Sequence, residues 1–250
     1  MSEMHLGETF DIHGGGLDLV FPHHENEIAQ SVCAHGGRPF ARLWVHNGLL
    51  TDAGAKMSKS LGNITTVREL LDEAPGEAIR LALLATHYRD PLDWTNDRLR
   101  QARQTLDRFY RALSLPRKPA SERFGEADEA LRPVREALDD DMNTPLALTE
   151  LHELAGEVNQ ASSDAERSAL QGALATGGRL MGLLERDPRG WLRGSGAANA
   201  ARIEDRIAAR AAARRERRFA EADQIRAELA AEGIILEDEP DGKTTWRRGG

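Results

Sequence analysis

Leu17-Asp18-Leu19-Val20-Phe21, the run from Pro22 to Ala34, then Leu43-Trp44-Val45 and Leu49-Leu50 form the stretch that decides the fold. Short apolar runs bounded by glycine and proline read as buried strands. Proline is tolerated in the first turn of a helix, so Pro22 to Ala34 reads as a helix set between strands. Strand, helix and strand in that order give residues 1–62 an α/β texture.

Downstream the texture turns helical. Thr65 or Thr66 can cap a helix through Leu70 and Leu71, and Glu77 to Ala85 carries Ile79, Leu81, Leu83 and Leu84. Leu99, Ala102, Leu106, Phe109, Tyr110 and Leu113 recur at three and four residues, an apolar helical stripe. Residues 63–115 therefore read as one helical region. Residues 114–121 read as a linker, 122–187 as further amphipathic helices, and 188–199, with Pro188, Gly190, Gly194 and Gly196, as a loose connection. Ala200 to Gly233 reads as one helix or a pair, followed by a small hairpin around Asp241-Gly242.

Composition narrows the classes. The chain has 250 residues, enough for one or two domains with appendages. Its longest apolar runs fall well short of the ~18 residues of a membrane span. One cysteine, Cys33, excludes an intrachain disulfide and fits a reducing cytoplasm. By size and apolar character Cys33 is expected to be buried. The formal net charge of −8 argues against a general nucleic-acid coat and leaves room for a local basic surface.

Six constellations can carry chemistry. Lys56-Met57-Ser58-Lys59-Ser60 places two ammonium groups on a short loop. Lysine serves phosphate as a mobile point charge, so the pair suits a polyphosphate on which charge builds. On composition alone the same pentapeptide is a solvated turn. His23 and Glu27 stand four apart on the expected helix and share a face, a spacing that can chelate zinc. On spacing alone the plainer reading is a helix-surface His–Glu pair. Gly14-Gly15-Gly16 permits close approach of backbone to a ligand, and Asp18 suits a ribose diol, although a glycine triplet alone is usually a turn. His46 ends an expected strand, where α/β folds place ligand groups, and a lone histidine there is more often structural. Asp139 to Pro145 reads as a helix cap rather than a metal loop. Arg202 to Arg218 holds seven arginines against three acids. Its default reading is a solvated face, yet with Arg247-Arg248 it is the stretch best suited to touch phosphates. Trp246 reads as a small-core residue before a base-stacking one.

Three of these motifs occur together as Phe10-Asp11-Ile12-His13-Gly14-Gly15-Gly16, Phe21-Pro22-His23-His24-Glu25-Asn26-Glu27-Ile28-Ala29-Gln30-Ser31 and Lys56 to Ser60. In this they resemble the cysteinyl-tRNA synthetases, a class I family. The resemblance continues through His87-Tyr88-Arg89, Pro91-Leu92-Asp93-Trp94, Asp139 to Pro145, Phe219 to Arg226 and Thr245-Trp246-Arg247-Arg248, and so covers essentially the whole chain.

It implies a fold and roles. Residues 1–62 would be part of a Rossmann-like catalytic domain with its signature loop, and 63–115 a stem-contact-like helical region. Residues 116–190 would be a tRNA-binding helical bundle and 200–250 a small α+β module that recognises the anticodon. His23 and Glu27 would be two of four zinc ligands. Lys56 and Lys59 would hold the ATP phosphates, accompanied by magnesium, and stabilise adenylyl transfer. Gly16, Asp18 and His46 would lie at the ATP, and His13 near the amino acid. The partners would be cysteine, ATP and tRNA(Cys), the protein a cytoplasmic monomer. The family's His-Ile-Gly-His signature and both zinc-ligand cysteines are absent from these 250 residues. The resemblance thus implies that Met1 is an internal methionine of a longer enzyme, and that this chain alone does not activate cysteine. Two further readings follow. One is a tRNA-binding fragment without catalysis. The other is a related ligase that joins cysteine to an amino sugar, which the long tail argues against.

Overall fold

The computed structural model describes residues 2–52, 54–57, 65–116, 124–193, 197–238 and 244–248. They divide into two compact units, one of residues 1–102 and 133–150, the other of 103–132 and 151–250.

In the first unit, helix α1 (Ser2–Leu6) precedes strand β1 (Phe10–Gly16), helix α2 (Glu25–Ala34) and strand β2 (Ala41–Asn47). β1 and β2 pair in parallel, with His13 opposite Trp44 and Gly15 opposite His46. α2 is the crossover that a parallel pair requires. The expected strand at Leu17–Phe21 is a correction. The strand lies one step upstream, and Leu17 to His24 form tight 3-10 and π-type turns. Leu17, Leu19 and Phe21 are 48%, 38% and 76% exposed. Their alternation mimics a strand, but the chain must leave the sheet after Gly16 to enter α2. The helix expected from Pro22 accordingly begins at Glu25.

Strand β3 (Leu50–Asp52) pairs antiparallel with β4 (Ala55–Lys56) and parallel with β5 (Leu92–Trp94). Helices α3 (Val67–Glu73) and α4 (Gly76–Leu84) lie between them in sequence. Thr66 caps α3 as expected: its hydroxyl accepts from Glu69 N, and the Glu69 carboxylate accepts from Thr66 N.

Helices α5 (Asn96–Ser114), α6 (Phe124–Asp139) and α7 (Thr144–Gln160) have residues in both units. The expected α5 stripe is buried from Leu99 through Ala102, Leu106, Phe109 and Tyr110. The Asp139–Pro145 stretch is a helix cap: Asn143 Oδ1 accepts from Leu146 N at 3.1 Å. Asp141, at φ 52°, does different work. It accepts from Tyr88 Oη at 2.7 Å and from Arg89 Nε and Nη2 at 2.5 and 3.0 Å. Arg89 first and Tyr88 second hold its carboxyl at about 2, below the ordinary 3.8. A depressed carboxyl contributes stability fully above its ordinary value and loses it as pH falls toward the folded one. Asp141→Asn is therefore expected to lower the melting midpoint at pH 6 and to match wild type near pH 2. A difference that persists unchanged to low pH would sink this account.

In the second unit, α8 (Asp164–Leu180) and α9 (Pro188–Arg193) follow α7. The loose connection expected at 188–199 is corrected in part, because Pro188 opens α9. Trp191 fixes it: its indole donates to Asp107 Oδ1 at 2.7 Å, and its ring stacks 4.9 Å from buried Tyr110. Next, α10 (Ala197–Arg215) and α11 (Phe219–Ala231) are the expected helix pair, and β6 (Ile234–Asp238) and β7 (Thr244–Arg248) the antiparallel strands of the expected hairpin. Its Asp241-Gly242 turn lies outside the described residues.

Most of the arginine run is engaged in ion pairs, largely at the surface. Arg202 pairs with Glu232, Arg206 with Glu228, Arg210 and Arg214 with Asp238, and Arg218 with Glu216 and Glu221. Arg210, 5% exposed, forks onto both Asp238 oxygens at 2.8 and 2.9 Å, which holds that carboxyl far below its ordinary range.

Candidate active site

The site grows from the end of β1 and the start of α2. His13 stands on β1 among aromatic rings, 4.7 Å from Trp44, 5.3 Å from Phe40 and 4.7 Å edge-on from His24. α2 turns a half-buried stripe of His24, Glu27, Ile28, Ser31, Val32 and His35 away from solvent. Cys33 lies off that stripe and is exposed, which corrects its expected burial.

Glu27 is the hub. Its Oε1 faces His23 Nε2 at 3.6 Å. His13 Nε2 stands 3.1 Å from Oε2 but off the line of a hydrogen bond. That oxygen is buried and accepts no hydrogen bond from any described residue. Ligand atoms of His13, His24 and Glu27 all fall within 4.8 Å of one another. Two imidazoles and a carboxylate with an unanswered buried oxygen are a donor set that fits zinc.

His24 is the residue that sequence reasoning missed. It is 3% exposed, and its Nδ1 lies 2.9 Å from His46 Nε2. Burial first, then the neighbouring His13 and His46, hold it below the ordinary 6.5. The signal was present: 24, 27/28, 31/32 and 35 make a helical stripe that includes His24 and omits His23. His23 is 58% exposed at its side chain and touches the cluster through Glu27 and the edge of His24, 5.5 Å between ring centroids.

The glycine triplet serves this packing. A Cβ on Gly15 would stand 2.8 Å from the His24 ring. One on Gly16 would stand 2.5 Å from Asp18 Oδ1, so the two residues expected at the ribose are brought together. His46 is half-buried against His24 and Trp44. Lys56 is in β4, paired with Thr51, while Lys59 lies outside the described residues. Asp93 on β5 is a second missed residue. Its Oδ1 accepts from Thr51 Oγ1 at 2.7 Å and Gly54 N at 2.8 Å, tying down the turn that leads to Lys56.

Comparison with known proteins places these features. Residues 1–104 match the family model for the class I (C) tRNA synthetase catalytic domain, 133–185 the DALR domain, and 199–247 the cysteinyl-tRNA ligase anticodon binding domain. The cysteine–tRNA ligase of Paramagnetospirillum magneticum (strain ATCC 700264 / AMB-1) is 60% identical over 253 residues, covering 100% of this chain and 54% of that protein. The chain belongs to the cysteine–tRNA ligase family. The Rhodospirillum rubrum cysteine–tRNA ligase is 56% identical over 99% of this chain and 54% of its own length. The chain thus spans about half the length of these cysteine–tRNA ligases. Among solved structures, the ternary complex of Agrobacterium radiobacter K84 agnB2 LeuRS–tRNA–LeuAMS aligns with a TM-score of 0.52 at 21% identity, over 69% of this chain and 25% of that one. That likeness is one of fold; the α/β, then helical, then small sheet-bearing order expected from sequence is the order of the elements described above. No described helix is long and apolar enough to cross a membrane.

Proposed function

We propose that the chain carries the zinc and signature-loop part of a cysteine–tRNA ligase together with its tRNA-binding region. The observation that carries this reading is the Glu27 hub, with histidines on both of its oxygens, inside the segment that matches the class I catalytic domain. Glu27 and His23, 3.6 Å apart, would hold zinc as two of its four ligands, with the His13 and His24 imidazoles drawn up to the same carboxylate. A bound zinc ion would supply a soft Lewis acid that prefers the cysteine thiolate to a serine hydroxyl, a choice an apolar pocket makes poorly.

The other roles belong to the chain's own groups. His13, walled by Trp44 and Phe40, would face the amino acid. His24 holds His46 beside the site and would keep it at the ATP. Gly16 and Asp18 would take the ATP ribose. Lys56 and Lys59 would neutralise the triphosphate, accompanied by magnesium, as the cysteine carboxylate attacks the α-phosphate and pyrophosphate leaves. The acyl group would pass to the terminal hydroxyl of tRNA(Cys). A cytoplasmic monomer belongs to the same reading. Ligation to an amino sugar is disfavoured by the anticodon-binding match at 199–247.

The test is a hybrid in which residues 1–250 replace the matching part of the P. magneticum relative. It is expected to support cysteine-dependent ATP–pyrophosphate exchange and to bind one zinc. His23→Ala and Glu27→Gln are each expected to lose more activity than the roughly 10- to 100-fold that removing an outer-sphere partner costs, with a parallel loss of zinc. Full exchange with zinc retained in both variants would refute the assignment. Residues 1–250 alone are expected to give no exchange.

A further inference from the structure

The β3–β4 hairpin that leads into the signature loop is held from outside by one carboxylate. β3 lies between β4 and β5, so Thr51 pairs with Lys56 on one side and with Asp93 on the other. The three residues form one rung of the sheet. Asp93 Oδ1 accepts from Thr51 Oγ1 at 2.7 Å and from Gly54 N at 2.8 Å. The first bond runs along the rung, and the second catches the turn itself. Gly54 stands at φ 77°, and an added Cβ there would meet nothing within 4 Å. Packing does not fix the turn at that point, and the hydrogen bond does. Gly54 N first and Thr51 second hold the Asp93 carboxyl below its ordinary 3.8, so these donors grip the charged form.

Asp93 is itself anchored. Its neighbours on β5, Leu92 and Trp94, are each 7% exposed and face the other side of the strand. From α5, Arg98 Nε donates to Asp93 O at 3.1 Å, and its Nη1 donates to Thr86 Oγ1 at 3.0 Å. A buried strand and a helix thus fix the Asp93 backbone, and its side chain carries that fixity across to the turn.

Lysine is a point charge on a flexible stem, so where it can act depends on where the backbone starts it. Lys56 stands two residues past Gly54 and on the same rung as Thr51. A shift of about 1 Å in a group that meets a reacting phosphate can cost on the order of 100-fold in rate. We propose that Asp93 is a positioning residue for adenylyl transfer: it sets the β3–β4 turn, and through the turn the loop lysines that meet the triphosphate. It acts through the backbone and not on the reacting atoms. This rests on the ligase reading above and adds to it a residue outside the loop.

The test uses the hybrid described above, assayed by ATP–pyrophosphate exchange with ATP and cysteine varied in turn. Asp93→Ala is expected to lower kcat/KM for ATP by roughly 10- to 100-fold and to leave KM for cysteine unchanged. Thr51→Val removes one of the two bonds at nearly constant volume, and the same split with a smaller loss is expected. Asp93→Asn keeps an accepting oxygen and is expected to recover most of the activity. Leu92→Ala is the structural comparison. It weakens the same strand, leaves both bonds in place, and is expected to lower the melting midpoint without shifting KM for ATP. In residues 1–250, Asp93→Ala is expected to speed hydrogen exchange at Gly54 N while protection in α5 persists.

Faster exchange at Gly54 N with unchanged ATP kinetics would overturn the positioning role and leave the ligase reading standing. So would a loss shared by ATP and cysteine, matched by Leu92→Ala and not rescued by asparagine. If Asp93→Ala does not fold, Thr51→Val and Asp93→Asn decide the matter by the same split. No exchange by the unaltered hybrid would overturn the ligase reading and this role together.

Discussion

Gly48→Ala is expected to destabilise the first unit by about 3 kcal/mol or more, among the larger single-residue effects in the chain. An added Cβ would stand 2.0 Å from Asp90 O, 2.3 Å from Asp90 C and 2.9 Å from Pro91 N. All three are backbone atoms, so no rotamer change relieves the clash. The two segments are also tied at that point. Gly48 N donates to Tyr88 O at 2.7 Å, and Leu92 N donates to Leu49 O at 2.9 Å. Pushing them apart breaks the start of the β3–β5 ladder, where Leu50 faces Leu92. It also disturbs the candidate site, since His46, held against His24, lies only two residues upstream. A fair control is Gly36→Ala. Gly36 has φ 64° but nothing within 4 Å of an added Cβ, so it carries only the cost of a left-handed conformation, about 1–2 kcal/mol. Thermal melting with amide exchange of β2 and β3 checks the pair. A Gly48→Ala loss no larger than that of Gly36→Ala would mean that the backbones part easily.

How much of this was legible depends on whether a residue's partner is near in sequence. The Thr66–Glu69 capping box and the α5 stripe need only three- and four-residue spacing, and both stand where that spacing put them. The Glu27 hub was half legible: His23 and Glu27 stand four residues apart at the start of α2, but His13 arrives from β1 and His24 is marked only by the helix's inner stripe. Leu17–Phe21 misled because alternation is a local signal, whereas the sheet's register is set by pairing with residues 41–47. The ion pairs of the arginine run were hidden for the same reason. Its acids, Glu228, Glu232 and Asp238, lie 22 to 30 residues away, and only folding brings them together. The Asp93 tether had no signature at all, because Thr51 and Gly54 lie 42 and 39 residues before it and meet it only in the sheet.

Trp246→Ala is expected to unfold the module of α10, α11, β6 and β7 while the rest of the chain stays folded. The module's core is Ile203, Ile207, Ile225, Leu229, Ile234, Leu236 and Trp246, and the tryptophan is 5% exposed within it. Truncating a buried tryptophan costs about 3–5 kcal/mol, which is about all the stability a core of this size supplies. The indole also donates to Glu204 Oε1 at 3.0 Å. Trp246→Phe keeps most of the apolar volume and loses that bond, so its cost should be nearer 1–2 kcal/mol and the module should remain folded. The two variants separate the packing role from base stacking, the other role open to a tryptophan beside two arginines. A stacking residue would lower RNA affinity in both variants and leave amide protection in α10 and α11 intact. A packing residue removes that protection in Trp246→Ala and spares it in Trp246→Phe. With its ring closed in by Ile203, Leu229 and Leu236, Trp246 has little face left for a base, and collapse of the module in the alanine variant is the expected result.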